Sequence, residues 1–96
     1  MRSALQDRLK KLREDAGFTL RVAATKLNKS PGYLSRIEGR GEIPSAEILC
    51  EMAVLYQADV EELLALAKTA ILEQTRIGIE EKQGEALRLF RKDRKR

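Results

Sequence analysis

The sequence contains no histidine, no tryptophan and only one cysteine among its 96 residues. A single cysteine cannot form an intramolecular disulfide, and this usage is typical of a reducing cytoplasm. Without histidine, the chain lacks the residue that most often serves acid–base catalysis and zinc binding. It also lacks any apolar run long enough for a membrane span or a signal peptide. We therefore expect a cytoplasmic protein that is not an enzyme and uses no metal or cofactor.

Proline and aromatic residues are also scarce. The chain has two prolines and 4% aromatic residues, whereas 43% of its residues are hydrophobic, mostly alanine and leucine. This composition favours an all-α core. A domain this small buries only about 60% of the surface that its unfolded chain exposes, so self-association would add to its stability.

The net charge of +4 conceals three blocks of alternating sign. Residues 1–40 hold ten Lys and Arg against four Asp and Glu, and residues 41–87 hold three against ten. Residues 88–96 hold six against one. A basic N-terminal block is what phosphate neutralisation requires. Its coincidence with the helical pattern described next favours that interpretation over a chance cluster.

Residues 19–38 contain two short helical patterns joined by a tight polar turn. Asn28 tolerates the left-handed backbone conformation that a sharp turn needs. Ser30 can accept a hydrogen bond from the free amides of the second helix, and Pro31 suits its first position. The pattern predicts a helix-turn-helix whose second helix is shaped to enter a DNA major groove. The stripe of the first helix follows the spacing i, i+3, i+4, i+7 at Leu20, Ala23, Ala24 and Leu27.

Cap and stripe patterns predict five helices in a compact domain. Ser3 with Gln6, and Asp59 with Glu62, form capping-box patterns at the first and fifth helices. Cys50 lies within the fourth helix and is expected to be an inert packing residue. The predicted elements are helices at residues 3–15, 20–27 and 31–38, a loop at 39–44, and two further helices that begin after Ser45 and after Asp59.

We expect two parts, a helix-turn-helix DNA-binding domain over residues 1–67 and a C-terminal helical extension over residues 68–96. Beyond Lys68 the apolar residues are irregularly spaced, and only 85–91 forms a further short helical pattern. The extension can pack against the domain, form a dimer contact or bind a second protein partner through 69–96, and we favour dimerisation. The closing RKDRKR is expected to be disordered, and it either contacts phosphates or serves as a solubilising tail.

Five sequence features occur in a fixed order along residues 5–66. They are LRxxxGFT before the second helix, Ala24 within it, SPGYLSRIEGR through the third, Pro44 in the loop, and LYQADVEELL at the end of the domain. In this order they resemble the phage repressor and Cro-like helix-turn-helix regulators. The resemblance implies a compact five-helix domain whose third helix reads the major groove. It also implies a dimer on two half-sites about one helical turn apart.

The resemblance assigns contacts to the third helix. In that family the residues that often touch base edges occupy positions that are here Pro31, Gly32, Ser35 and Arg36. Pro31 and Gly32 lack long polar side chains, which leaves Arg36 as the principal reader, with two hydrogen bonds to a guanine. Ser35 is as suited to a phosphate as to a base. The full set of predicted DNA-binding residues is Arg21, Lys29, Ser30, Pro31, Gly32, Tyr33, Ser35, Arg36 and Arg40.

Arg21 and Arg40 are expected at the DNA backbone, and Tyr33 is a candidate for the same kind of contact. Tyr33 can donate to a phosphate or pack its ring against Ile37, and both interpretations stay open. Arg40 is expected in the loop after the third helix, as a phosphate contact. The family commonly begins the second helix with a glutamine beside the DNA, whereas Leu20 stands here. We therefore expect Arg21 and backbone amides at the helix start to replace that contact.

Glu38 matches a family position that pairs with an arginine near the end of the first helix. In this sequence that arginine is Arg13. The resemblance implies that the pair is structural, so both residues are excluded from the DNA-contacting set.

We expect a sequence-specific regulator that binds a palindromic operator in double-stranded DNA as a homodimer. Repression is favoured over activation because a small DNA-binding dimer can block polymerase without further machinery. The alternative is a protein-interaction module, antitoxin-like or partner-binding, that retains the fold without reading sequence, because fold alone does not give function. The basic block favours the regulator, since a protein-interaction module that no longer binds DNA would not need this positive charge.

Overall fold

The computed structural model describes residues 3–76 and is all-α over that range, which confirms the predicted fold class. Within the described residues, no helix is long and apolar enough to cross a membrane, and no three His, Cys, Asp or Glu side chains form a group that could hold a metal ion. The predicted helix at 85–91 and the basic end lie outside these residues. The helices are α1 (Ala4–Asp15), α2 (Leu20–Lys26), α3 (Pro31–Arg40), α4 (Ala46–Tyr56) and α5, which covers 60–76.

Side chains cap the starts of the first four helices, through hydroxyl groups at α2, α3 and α4. Thr19, Ser30 and Ser45 each accept a hydrogen bond from the backbone N–H three residues on, at 3.1–3.2 Å. At α1, Gln6 Oε1 accepts from the Ser3 N–H at 2.9 Å, as the predicted capping box requires. These bonds satisfy amides that have no partner inside the helix, so the starting points are determined locally.

The start of α5 differs in one respect from the prediction. Asp59 Oδ1 accepts from the Glu61 N–H at 3.0 Å, so Asp59 does cap the helix. Glu62, expected to complete a capping box with Asp59, instead accepts a hydrogen bond from Arg8 Nε at 2.6 Å. This ion pair joins α5 to α1, which is a tertiary contact that a local pattern cannot specify.

The end of α3 corrects the predicted loop at 39–44. Gly41 adopts φ 77° and is the left-handed C-cap, whereas Gly39 remains inside the helix. A glycine only weakens a helix interior, and the left-handed conformation at Gly41 is what ends it. Arg40 is therefore the last residue of α3 rather than a loop residue.

The core lies between the helices and includes residues from all five. Leu5 of α1, Leu34 and Ile37 of α3, Met52 of α4 and Leu63 of α5 are fully buried. Their burial removes apolar surface from water at every helix contact, and this is the main stabilising contribution. The remaining buried apolar residues are Leu9, Ala23, Ala24, Leu27, Ile48, Leu49, Ala53, Tyr56, Ala67 and Ala70.

Cys50 lies outside this core, contrary to the prediction. Its side chain is exposed on α4. Ile48 and Met52, two positions to either side, are buried, and residues two apart on a helix point in nearly opposite directions. Val54, four positions on from Cys50, shares its face and is 80% exposed.

α5 continues without interruption past the predicted boundary between residues 67 and 68. Ala70 is buried, and Gln74 Nε2 donates to the Gly41 carbonyl at 3.4 Å. The first part of the predicted extension therefore packs against the domain. Ile71 and Leu72 remain 50% and 58% exposed. The division of the chain into two parts stays a prediction.

A buried ion pair joins α1 to α3. Arg13 Nε lies 2.8 Å from Glu38 Oε2, and Nη2 lies 3.0 Å from Oε1, so the pair is bidentate. Arg13 Nη1 donates to the Phe18 carbonyl at 2.9 Å. The hydrogen bonds to Glu38 raise the pKa of Arg13, which keeps the guanidinium charged. The predicted structural pair is thereby confirmed, with side chains only 10% and 6% exposed.

We expect Arg13→Ala to lower the free energy of unfolding by about 3–5 kcal/mol, because it leaves the Glu38 carboxylate buried without its partner. Urea denaturation measures this change, and DNA binding is expected to fall in parallel. Lys11→Ala is the matched control, since Lys11 and Asp15 form an exposed pair on the same helix at 3.8 Å. Unchanged unfolding with lost DNA binding would make Arg13 a DNA contact instead.

We expect Tyr56 to limit stability at alkaline pH. Its hydroxyl is buried without a hydrogen-bond partner among the described residues, and burial raises the pKa of Tyr56 from 10.0 to about 12. The unfolded chain loses this proton first, so stability is lost as the pH rises from about 10 to about 12. In Tyr56→Phe, the decrease in the free energy of unfolding over this pH range is expected to be smaller by up to roughly 2 kcal/mol. Urea denaturation of both proteins at neutral and alkaline pH tests this, and an equal loss in the two would contradict it.

Candidate nucleic-acid interface

The turn between α2 and α3 fixes the orientation of α3. Asn28 adopts φ 58°, as predicted, and the Lys29 N–H donates to the Ala24 carbonyl at 2.9 Å. Leu34 and Ile37 are fully buried on the inner side of α3. With its inner side anchored in this way, α3 presents its opposite side to solvent in one orientation.

Four exposed residues of α3 form one strip along that outer side. At about 100° per residue, Gly32, Ser35, Arg36 and Gly39 fall on the same face. The sequence predicts this face for the first three of them. It places Gly39 in a loop, so Gly39 was not predicted to belong to the face. A Cβ at Gly39 would meet nothing within 4 Å. Gly39 leaves the backbone of the strip uncovered, which permits close approach to a ligand, whereas Arg36 Nη1 lies 4.0 Å from the Cβ position of Gly32.

The ring of Tyr33 lies close to two cations beside the strip. Lys29 Nζ is 5.2 Å and Arg36 Cζ is 5.8 Å from the ring centroid, within the range of cation–π attraction. The ring is half-buried against the core, and burial raises the pKa of Tyr33, so the hydroxyl remains a donor at neutral pH. Packing of the ring is thus observed, and a hydrogen bond to a phosphate stays a prediction.

Arg36 forms an ion pair that the sequence did not predict. Its Nε lies 3.0 Å from Oε2 of Glu42, which follows the end of α3, and both side chains are 47% exposed. The only signal in the sequence is an acid six residues after an arginine, which is not a spacing at which side chains meet on a helix. The two groups meet because the chain turns back at Gly41.

The other predicted site residues lie at the ends of α2 and α3. Ser30 uses its hydroxyl to cap α3, and Pro31 is the exposed first residue of that helix. Arg40 is exposed at the last residue of α3. Arg21 is exposed in the first turn of α2, on a different helix from the others. All nine predicted residues therefore have surface exposure, with Tyr33 the most buried of them.

Comparisons with known proteins agree with this geometry. A family model described as a helix-turn-helix domain matches residues 4–66. This chain belongs to the helix-turn-helix family of DNA-binding regulators. A comparison with curated protein sequences gives no match.

Two solved structures of the clp gene regulator ClgR from Corynebacterium glutamicum are similar to this chain. One is 39% identical, with 71% of this chain and 88% of that chain covered and a TM-score of 0.56. The other is 29% identical, with 88% and 90% covered and a TM-score of 0.60. Both likenesses extend beyond the two helices of the motif to most of the described structure.

Asn28 tests whether the left-handed turn positions α3. We expect Asn28→Val to lower the free energy of unfolding by about 1–2 kcal/mol, because a β-branched residue is strained in this conformation. Asn28→Gly is the control and is expected to be as stable as the wild type. Thermal unfolding of the three proteins measures the difference. Equal stability of the valine and glycine variants would show that the turn does not require this conformation.

Proposed function

We propose that this chain is a cytoplasmic, non-enzymatic transcriptional repressor that binds a palindromic operator in double-stranded DNA as a homodimer. The observation that carries the proposal is the exposed strip of α3, on which the Arg36 side chain stands between two glycines. The similar solved structures are those of a clp gene regulator, which supports a regulatory role here.

Arg36 is the proposed base reader. A guanidinium can donate two hydrogen bonds to O6 and N7 of a guanine, and such a pair discriminates against other bases by about 1–3 kcal/mol. Ser35 lies beside it on the strip and suits a base or a phosphate. Gly32 and Pro31 carry no hydrogen-bonding side chain, so sequence reading depends on few contacts.

Cations around the strip supply the sequence-independent part of the affinity in this proposal. Arg21, Lys29 and Arg40 are exposed on α2, on the turn and on α3. Each phosphate that such a residue neutralises releases counterions, so the affinity falls with rising salt. The net positive charge of residues 1–40 has the sign that this interaction requires.

The proposed homodimer uses the exposed apolar side chains of α5. Ile71 and Leu72 lie just beyond Ala70, the last buried residue of the described chain. A second copy covering them would remove apolar surface from water. In the alternative, a different protein partner binds residues 69–96.

Repression is proposed over activation because a small dimer bound to DNA can block polymerase without further machinery.

A protein-interaction module is the second candidate function. The observation that favours it is the small number of side chains on the strip that could contact bases, since two of its four residues are glycines. Such a module would bind a partner protein and would not distinguish one DNA sequence from another.

Selection of bound duplexes from a random pool decides between these candidates. We expect enrichment of a palindrome whose half-sites are about one helical turn apart. Arg36→Ala is expected to reduce the preference for the enriched duplex over an unrelated one by about 5- to 150-fold. Lys11→Ala on α1 removes an equal charge outside both α3 and the proposed dimer contact, and is expected to leave this preference unchanged. Absent enrichment, or binding that ignores sequence, would contradict the regulator.

The dimer contact is tested by the double substitution Ile71→Ser and Leu72→Ser. Analytical ultracentrifugation is expected to show a dimer for the wild type and a monomer for the variant, because the apolar contact is lost. Val54→Ser removes an apolar side chain that is 80% exposed on α4 and serves as the control. A variant that still sediments as a dimer would exclude these residues from the interface.

A further inference from the structure

We propose that Glu42 is a specificity-determining residue, which holds Arg36 through Nε and leaves Nη1 and Nη2 facing a guanine. The inference rests on the proposed function, because it concerns how Arg36 reads DNA. It adds to that function a residue that touches no base and acts by positioning one that does.

The pattern of hydrogen bonds on the Arg36 guanidinium suggests this role. Glu42 Oε2 accepts from Nε at 3.0 Å, and this is the hydrogen bond that the guanidinium makes within the described residues. The outer edge, formed by Nη1 and Nη2, keeps its donors for another acceptor. Two parallel donors are what the O6 and N7 atoms of guanine accept.

The backbone of Glu42 is fixed from both sides. Its N–H donates to the Arg36 carbonyl at 3.3 Å, and its carbonyl accepts from Gln6 Nε2 at 3.3 Å. Gln6 is itself fully buried in α1. The carboxylate therefore starts from an anchored point and can fix the direction of the arginine side chain.

One further contact, with the Tyr33 ring, confines the guanidinium. The Tyr33 ring lies 5.8 Å from its Cζ, and a Cβ at Gly32 would lie 4.0 Å from Nη1. Gly32 thus leaves the Nη1 flank open toward the N-terminal end of α3. Holding a long side chain in one orientation before binding reduces the conformational entropy that binding costs.

The position of Glu42 has opposite effects on affinity and on specificity. A carboxylate near the strip repels phosphates, so it weakens binding to every duplex. By orienting Arg36 it strengthens binding to the duplex that offers a guanine at the right place. Measuring both quantities therefore separates positioning from simple repulsion.

The experiment measures dissociation constants for two probes. One is the duplex that the wild-type chain enriches from a random pool, and the other is the same duplex with its guanines replaced. The variants are Glu42→Ala, which removes the carboxylate, and Glu42→Gln, which keeps an acceptor oxygen without the charge. Glu51→Gln is the matched control, because Glu51 is an exposed acid that lines the same groove as Glu42 and Tyr33.

We expect Glu42→Ala to bind the substituted duplex more tightly than the wild type does, and to lose about two- to fivefold of the preference for the enriched duplex. Glu42→Gln is expected to lose less of that preference, because its amide oxygen still accepts from Nε. Glu51→Gln is expected to tighten binding to both duplexes equally.

Three outcomes would overturn the inference. An unchanged preference in Glu42→Ala would mean that the carboxylate only repels phosphates. An increased preference would mean that it competes with DNA for Arg36. If Arg36→Ala itself leaves the preference unchanged, the proposed base reader fails and the role of Glu42 falls with it. The first two outcomes leave the proposed function standing.

Discussion

The orientation of α3 depends on the buried pair between Arg13 and Glu38. The guanidinium joins three parts of the chain, because it bonds the carboxylate of α3 in two places and the Phe18 carbonyl that leads into α2, while itself belonging to α1. A charge pair with this little exposure stabilises the fold only while every donor has its acceptor. The orientation of α3 in the domain is therefore tied to this bidentate contact as well as to the turn at Asn28 and the burial of Leu34 and Ile37.

Helical periodicity places the structural residues of α3 on one side of the helix and its exposed residues on the other. Leu34, Ile37 and Glu38 face the domain, whereas Ser35 and Arg36 face solvent. Because the two sets do not overlap, the outer residues can vary without cost to the core, and the inner ones cannot contact DNA. Tyr33 lies between the two sets, with its ring packed against the core and two cations within 6 Å of the ring centroid.

The helix starts were predictable from the sequence because they depend on local chemistry. A hydroxyl beside free amides, as at Ser30, or a residue that tolerates the left-handed region, as at Asn28, needs no distant partner. The end of α3 was not predictable, because either Gly39 or Gly41 suits a C-cap. The bond from Gln74 to the Gly41 carbonyl accompanies the second choice and spans 33 residues. Which glycine ends the helix depends on tertiary packing, and a local sequence pattern does not contain that information.

The same limit explains why Glu38 was found and Glu42 was missed. Glu38 lies at a position that the resemblance assigns, and its partner is buried with it. Glu42 meets Arg36 only because the chain reverses at Gly41, and nothing in the sequence marks the pair. Their energetics also differ, since an exposed pair is worth about 0–1 kcal/mol whereas breaking a buried one costs several. The buried pair can therefore hold the domain rigid, while the exposed one engages only Nε and, in the proposed function, leaves Nη1 and Nη2 of Arg36 to donate to DNA. In its proposed role, Glu42 orients Arg36 from outside the core, where loss of the carboxylate is expected to change binding more than folding.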